Sequence, residues 1–161
     1  MSSLFLPNGP LRIAVEIAES VAVESPCSKS KRGVAIYTNT TNAVPLVVAV
    51  GCNKPPRDLS CLDNQACRDA CGRLCMHAEA NALLGLPSGG AKSTLEVVHV
   101  KVVDGVLVAS GGPSCSPCAR DMYDDPRIAA VWLYPVDGWK RYPIEEFYTL
   151  SMQANNLPEL T

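Results

Sequence analysis

The sequence lacks any run of about 18 apolar residues, the length a helix needs to cross a bilayer, so no membrane span is expected. Its first residues, Met1 to Pro7, have neither a basic start nor an apolar stretch of secretory length, and a cytoplasmic protein is expected. A basic surplus is missing too. The formal net charge is −2, whereas proteins that grip nucleic acid by its phosphates usually carry a basic stripe. The one dense basic cluster, Lys29-Ser30-Lys31-Arg32, fits a single phosphate, or equally a solvated loop, better than a long strand. Repeats, linkers and low-complexity segments are absent, and 161 residues suffice for one core. A single domain over residues 1–161 is expected.

What the sequence does have is cysteine, eight residues of it. Disulfides are rare in a reducing cytosol, so metal thiolates and buried thiols are the expected uses. Six of the eight are clustered: Cys61, Cys67, Cys71 and Cys75 in one short segment, Cys115 and Cys118 as a pair.

Apolar residues recur at helical spacing from Pro10 to Glu24, with Pro10 tolerable in a first turn. Gly33 to Tyr37 and Pro45 to Val50 read as strands joined in a hairpin through Thr38-Asn39-Thr40-Thr41-Asn42. Ala78 to Leu86 is built of helix formers and stopped by Pro87-Ser88-Gly89-Gly90. Leu95 to Val103 and Val106 to Val108 flank Asp104-Gly105, a tight-turn dipeptide. Cys118 to Asp124 and Ile144 to Ala154 read as helices, and Ile128 to Tyr134 as a buried strand. This order predicts a mixed α/β sheet of about five strands with helices on both faces.

His77-Ala78-Glu79 and Cys115-Ser116-Pro117-Cys118 together offer one imidazole, two thiolates and a neighbouring carboxylate. Three protein ligands leave a zinc ion one position for water, as catalytic sites do. Either half alone also fits redox chemistry, structural metal or accident. Joined, they are the combination by which zinc deaminases are recognised, with the glutamate as general acid/base.

On these residues the sequence resembles the cytidine/deoxycytidylate deaminase superfamily. His77-Ala78-Glu79-Ala80-Asn81-Ala82-Leu83 is most similar to the deoxycytidylate branch, and the long connection from Lys54 to Met76 is similar to it too. The resemblance implies a three-layer α/β/α sandwich. It also implies a catalytic zinc held by His77, Cys115 and Cys118, with Glu79 moving protons. Val50-Gly51-Cys52-Asn53 is similar to the family segment whose asparagine binds substrate, which nominates Asn53, and Ala78 beside it. One departure stands out: the family places proline directly before the first cysteine, and here that residue is Ser114, after Pro113.

The implied reaction is hydrolytic deamination of a pyrimidine nucleotide, dCMP to dUMP with release of ammonia, with Lys31 or Arg32 meeting the 5′-phosphate. Two other readings stay open: a deaminase acting on cytosine in single-stranded DNA or RNA, and a non-catalytic zinc domain that binds a partner. Cys61, Cys67, Cys71 and Cys75 could hold a second, structural zinc or pack the connection as free thiols. His99, inside a valine-rich strand, is expected in the core or at an edge. Trp132, Tyr134, Trp139 and Tyr142 could stack on a base but more often such rings fill a core. By resemblance, a homo-oligomer is expected.

Overall fold

The computed structural model describes residues 9–39, 45–57 and 59–158. The turn expected over Thr38 to Asn42, and the chain start, lie partly or wholly outside them. The described residues form α1 (Pro10–Val23), β1 (Lys31–Thr38), β2 (Val47–Cys52), α2 (Gln65–Leu74), α3 (Ala78–Leu84), β3 (Leu95–Val103), β4 (Val106–Val108), α4 (Ser116–Asp124), β5 (Ile128–Leu133), β6 (Lys140–Pro143) and α5 (Ile144–Ala154). None of these helices is long and apolar enough to cross a membrane.

The strands make one mixed sheet of order β2-β1-β3-β5-β6, with the short β4 paired to the far end of β3. Among the described residues only the β3/β5 pair is parallel. Strand β3 is central, and six consecutive residues from Leu95 to Val100 are buried because both faces of the strand are covered. Asp104 and Gly105 take positive φ, 50° and 76°, as a tight hairpin between β3 and β4 demands. Against about five strands expected, the sheet has six among the described residues. The additional β6 is a polar edge strand, Lys140-Arg141-Tyr142-Pro143, with no apolar alternation to announce it.

Side-chain alternation sorts the sheet into two faces. Ala35, Tyr37, Val98, Val100 and Val102 pack against Leu11, Ala14, Val15, Ala18 and Ala22 of α1. Val34, Ile36, Val97 and Val131 pack under α3, α4 and α5 through Ala78, Ala82, Ala119, Met122 and Phe147. The α/β/α sandwich follows from the two clusters. Gly51 lets β2 and α3 touch: a Cβ there would fall inside the backbone of Ala78 and Ala82. That close approach seats the start of α3, and so His77 and Glu79, against the end of the sheet.

Candidate active site

Two helices begin at one place. His77 caps the N-terminus of α3 and Cys115 caps that of α4, both with extended backbone, and Cys118 is the third residue of α4. Pro117 costs α4 nothing, since first-turn N–H groups have no intrahelical partner. His77 Nδ1 lies 3.1 Å from Cys115 Sγ and 3.4 Å from Cys118 Sγ. The three ligand atoms lie within 4.8 Å of one another, and no other group of three or more His, Cys, Asp or Glu gathers this way among the described residues.

This donor set fits zinc: one imidazole and two thiolates of the right softness, three in number rather than the four of a closed structural site. One of the two thiols is also drawn towards its thiolate. Hydrogen bonding with Cys118, and then with His77, outweighs burial and draws the Cys115 thiol down to about 5. Cys118 is pushed up, first by that same bond and then by burial. The positive end of α4 favours the thiolate.

A cavity of about 350 Å³ opens beside these ligands, bounded by Arg32, Asn53, Ala78, Glu79, His99 and the segment from Ser110 to Cys115, with Cys71 of α2 and Cys75 just after it on one wall. Glu79, on the first turn of α3, is 4% exposed. Its Oε1 accepts a 2.6 Å hydrogen bond from the Ser114 hydroxyl, and His99 Nδ1 stands 3.4 Å from the same oxygen. Burial opposes ionisation of Glu79, but the His99 ring and the Ser114 hydroxyl outweigh it and hold the carboxyl below its ordinary value. Burial pushes His99 down in turn, while the Glu79 charge pulls it back up.

The structure separates the two basic candidates by strand alternation. Arg32 shares the face of Val34 and Ile36 and borders the cavity, its Nη1 donating to Ser110 O at 3.0 Å. Lys31 points to the other face, where Nζ donates to Val23 O at 2.7 Å and Ser25 O at 2.9 Å at the end of α1. It does not border the cavity. Lys29, not singled out from the sequence, does. Asn53 is in the wall, but its carboxamide is largely engaged. Oδ1 accepts from Arg32 N at 2.8 Å and Ser25 Oγ at 2.9 Å, and Nδ2 donates to Ser30 O at 2.7 Å. One amide hydrogen remains for a ligand.

The four clustered cysteines do not converge as one metal site. Cys61 meets Cys67, Sγ to Sγ 3.7 Å, beside Ser28. Cys71 instead pairs with Cys75 and with Cys27 in the connection between α1 and β1, a partner no sequence spacing could indicate. Hydrogen bonds from the Ser28 hydroxyl and amide draw Cys61 down to about 7, while burial and the bond with Cys75 push Cys71 up to about 12. At pH 7, timed alkylation read by mass spectrometry should therefore modify Cys61 first and Cys71 late among these four. Joint protection of all four until a chelator is added would restore the shared metal.

His99 is in the core as expected, yet it borders the cavity, and neither ring nitrogen has a hydrogen-bond partner. Its place on alternate residues of β3 from Val97 was the available signal. The four candidate stacking rings lie elsewhere: Trp132 donates to Glu96, Tyr134 packs on Trp139, and Tyr142 faces another pocket.

No family model and no curated protein matches the chain. Solved structures do. A mutant cytidine deaminase from Mycobacterium tuberculosis aligns over 95% of this chain and 98% of its own, at 15% identity and TM-score 0.51. The dCMP deaminase of cyanophage S-TIM5, solved in complex with dCMP and dUMP, aligns over 72% and 74% at 19% identity and TM-score 0.49. Cytidine deaminase from Mycobacterium leprae aligns over 94% and 100% at 15% identity and TM-score 0.47. Over nearly its whole length, this chain has the fold of a cytidine deaminase.

Proposed function

We propose that this protein is a zinc-dependent hydrolytic deaminase of a cytosine nucleotide, converting dCMP to dUMP and ammonia. The observation that carries the reading is a buried carboxylate, Glu79, on the wall of the cavity where His77, Cys115 and Cys118 gather. A zinc ion on those three donors would supply Lewis acidity, bringing the pKa of water from 15.7 towards about 7.

The chain's own groups do the rest. Glu79 accepts a proton from the attacking water and delivers it to N3 as oxygen adds at C4 of the ring. The same carboxyl then takes the second proton from the oxygen now on C4 and passes it to the amine, which leaves as ammonia while C4–O becomes a carbonyl, so one water is consumed and one ammonia released. Ala78 borders the cavity, and its N–H, in the first turn of α3, has no intrahelical partner and can meet the base. Arg32 and Lys29 give the cavity a positive wall suited to one phosphate, which supports a monophosphate over a nucleoside.

The test is ammonia release by purified, zinc-loaded protein over cytosine, cytidine, deoxycytidine, their mono- and triphosphates and a single-stranded oligonucleotide. The expected outcome is turnover of dCMP ahead of deoxycytidine, with Arg32→Gln narrowing that preference mainly through KM. Turnover of the oligonucleotide alone would replace the nucleotide reading with a polynucleotide one. No turnover of any cytosine compound would remove the deaminase reading itself.

A further inference from the structure

We propose that Ser114 and His99 are positioning residues for Glu79, holding its Oε1 so that Oε2 is the oxygen that exchanges protons. The inference rests on the reading of Glu79 as the proton-moving group and adds how this chain aims it. Both contacts fall on one oxygen: the Ser114 hydroxyl at 2.6 Å and His99 Nδ1 at 3.4 Å. Both residues are nearly out of solvent, 6% and 5% exposed.

Each is fixed from behind. Asn155, which ends α5, donates from Nδ2 to Ser114 O at 3.3 Å and to Ser151 O at 2.6 Å. The final helix thereby sets the place of the serine. His99 comes from the central strand, paired in register with Val34 of β1. Its ring nitrogens are buried without a hydrogen-bond partner, a state that calls for an explanation in a site. Of the two, Nδ1 faces Glu79 Oε1 at ion-pair distance, 3.4 Å.

The chemistry needs such an arrangement. The last torsion of a glutamate is broad and two-fold, so an untethered carboxyl swings its oxygens freely. Fixing one oxygen keeps the other aimed at the reacting atoms. A hydroxyl can donate to Oε1 whether or not Oε2 carries a proton, so the tether survives both halves of the proton cycle. Proline, which the superfamily's motif has at this place, has no hydroxyl to offer, and the tether belongs to the departure at Ser114.

Ser114→Ala should lower kcat by about 10- to 100-fold, leave metal content unchanged, and leave KM within about twofold of the parent. Ser114→Thr, which keeps the hydroxyl, should recover most of the loss. In a Glu79→Gln background, Ser114→Ala should add nothing, because the group it positions is already gone. His99→Phe should follow the same pattern. A parent-like kcat in Ser114→Ala, or an undiminished further loss in the Glu79→Gln background, would overturn the assignment. A readout independent of turnover is the 13C carboxyl resonance of Glu79 in glutamate-labelled protein, identified by its absence in Glu79→Gln. It should move in Ser114→Ala and return in Ser114→Thr. If the parent deaminates nothing, the functional reading fails and this resonance decides alone: movement upholds the tether, and a resonance unmoved by Ser114→Ala removes it.

Discussion

Glu79→Gln should keep its full complement of metal and its folded spectrum while turnover falls by about 10²- to 10⁴-fold, the range over which a positioned acid/base contributes. The substitution is nearly isosteric, and the amide oxygen can still accept the Ser114 hydroxyl that now bonds Oε1 at 2.6 Å. What the amide cannot do is take a proton from water and return it to a ring nitrogen. The metal ligands are untouched, since His77, Cys115 and Cys118 converge independently of the carboxylate. Metal analysis beside steady-state kinetics therefore separates two roles. Retained zinc with lost turnover supports proton transfer by Glu79. Unchanged turnover would take Glu79 out of the chemistry, and loss of zinc together with turnover would make it a structural member of the site. His77→Ala is the complementary control, in which metal and turnover should fall together.

The contrast between these variants bears on the non-catalytic zinc reading. A closed structural centre is expected to supply four protein ligands and to need no acid/base group. Here three donors gather, and beside them lies a carboxylate held below its ordinary value despite burial. Such a pairing of desolvation with specific partners marks sites of chemistry more often than packing alone.

Much of this was legible in the sequence because donor types at fixed spacing identify chemistry before any fold is known. His77 with Glu79, and Cys115 with Cys118, needed only their helix starts to be guessed. Strands β1, β2, β3 and β5 were legible as β-branched apolar runs. Helix α2 was not, because it lies largely exposed and has no apolar stripe; its one local signal was Asn64, whose side chain accepts from Cys67 N at 2.8 Å. The choice between Lys31 and Arg32 was out of reach for a different reason. Alternation separates the two, but residues 34 to 37 are buried on both faces of β1, so hydrophobicity could not say which face carries the site. The tether at Ser114 shows the limit from the other side: its departure from the family motif was visible, while its consequence needed the position of Glu79 in space.

Glu96→Ala should cost about 3–5 kcal/mol, as breaking a buried ion pair does, out of a total stability of about 5–15 kcal/mol. The loss arises far from the metal ligands. Glu96 is 2% exposed on β3 and gathers donors from β1, β5, β6 and the residue after β1. Its Oε2 accepts from Tyr37 Oη at 2.9 Å and Trp132 Nε1 at 2.6 Å; its Oε1 accepts from Asn39 Nδ2 at 2.6 Å and from Arg141 Nε and Nη2 at 2.9 and 2.8 Å. Removing the carboxylate strands the phenol and indole donors in the core, while Arg141, with a side chain 39% exposed, can turn back to water. That partial rescue favours the lower end of the range. The pH dependence has a definite sign. Burial alone would raise the Glu96 carboxyl, but the bonds from Arg141, Trp132 and Tyr37 outweigh it and hold the carboxyl below its ordinary 4.5. A carboxyl lowered on folding contributes stability that is fully present above its unfolded value and is lost as pH falls through its folded one. Denaturant midpoints of the parent and Glu96→Ala should therefore differ most near neutral pH and draw together below about pH 4.5. A gap between the two proteins that stays constant down to pH 3 would mean that Glu96 acts through packing rather than through its charge.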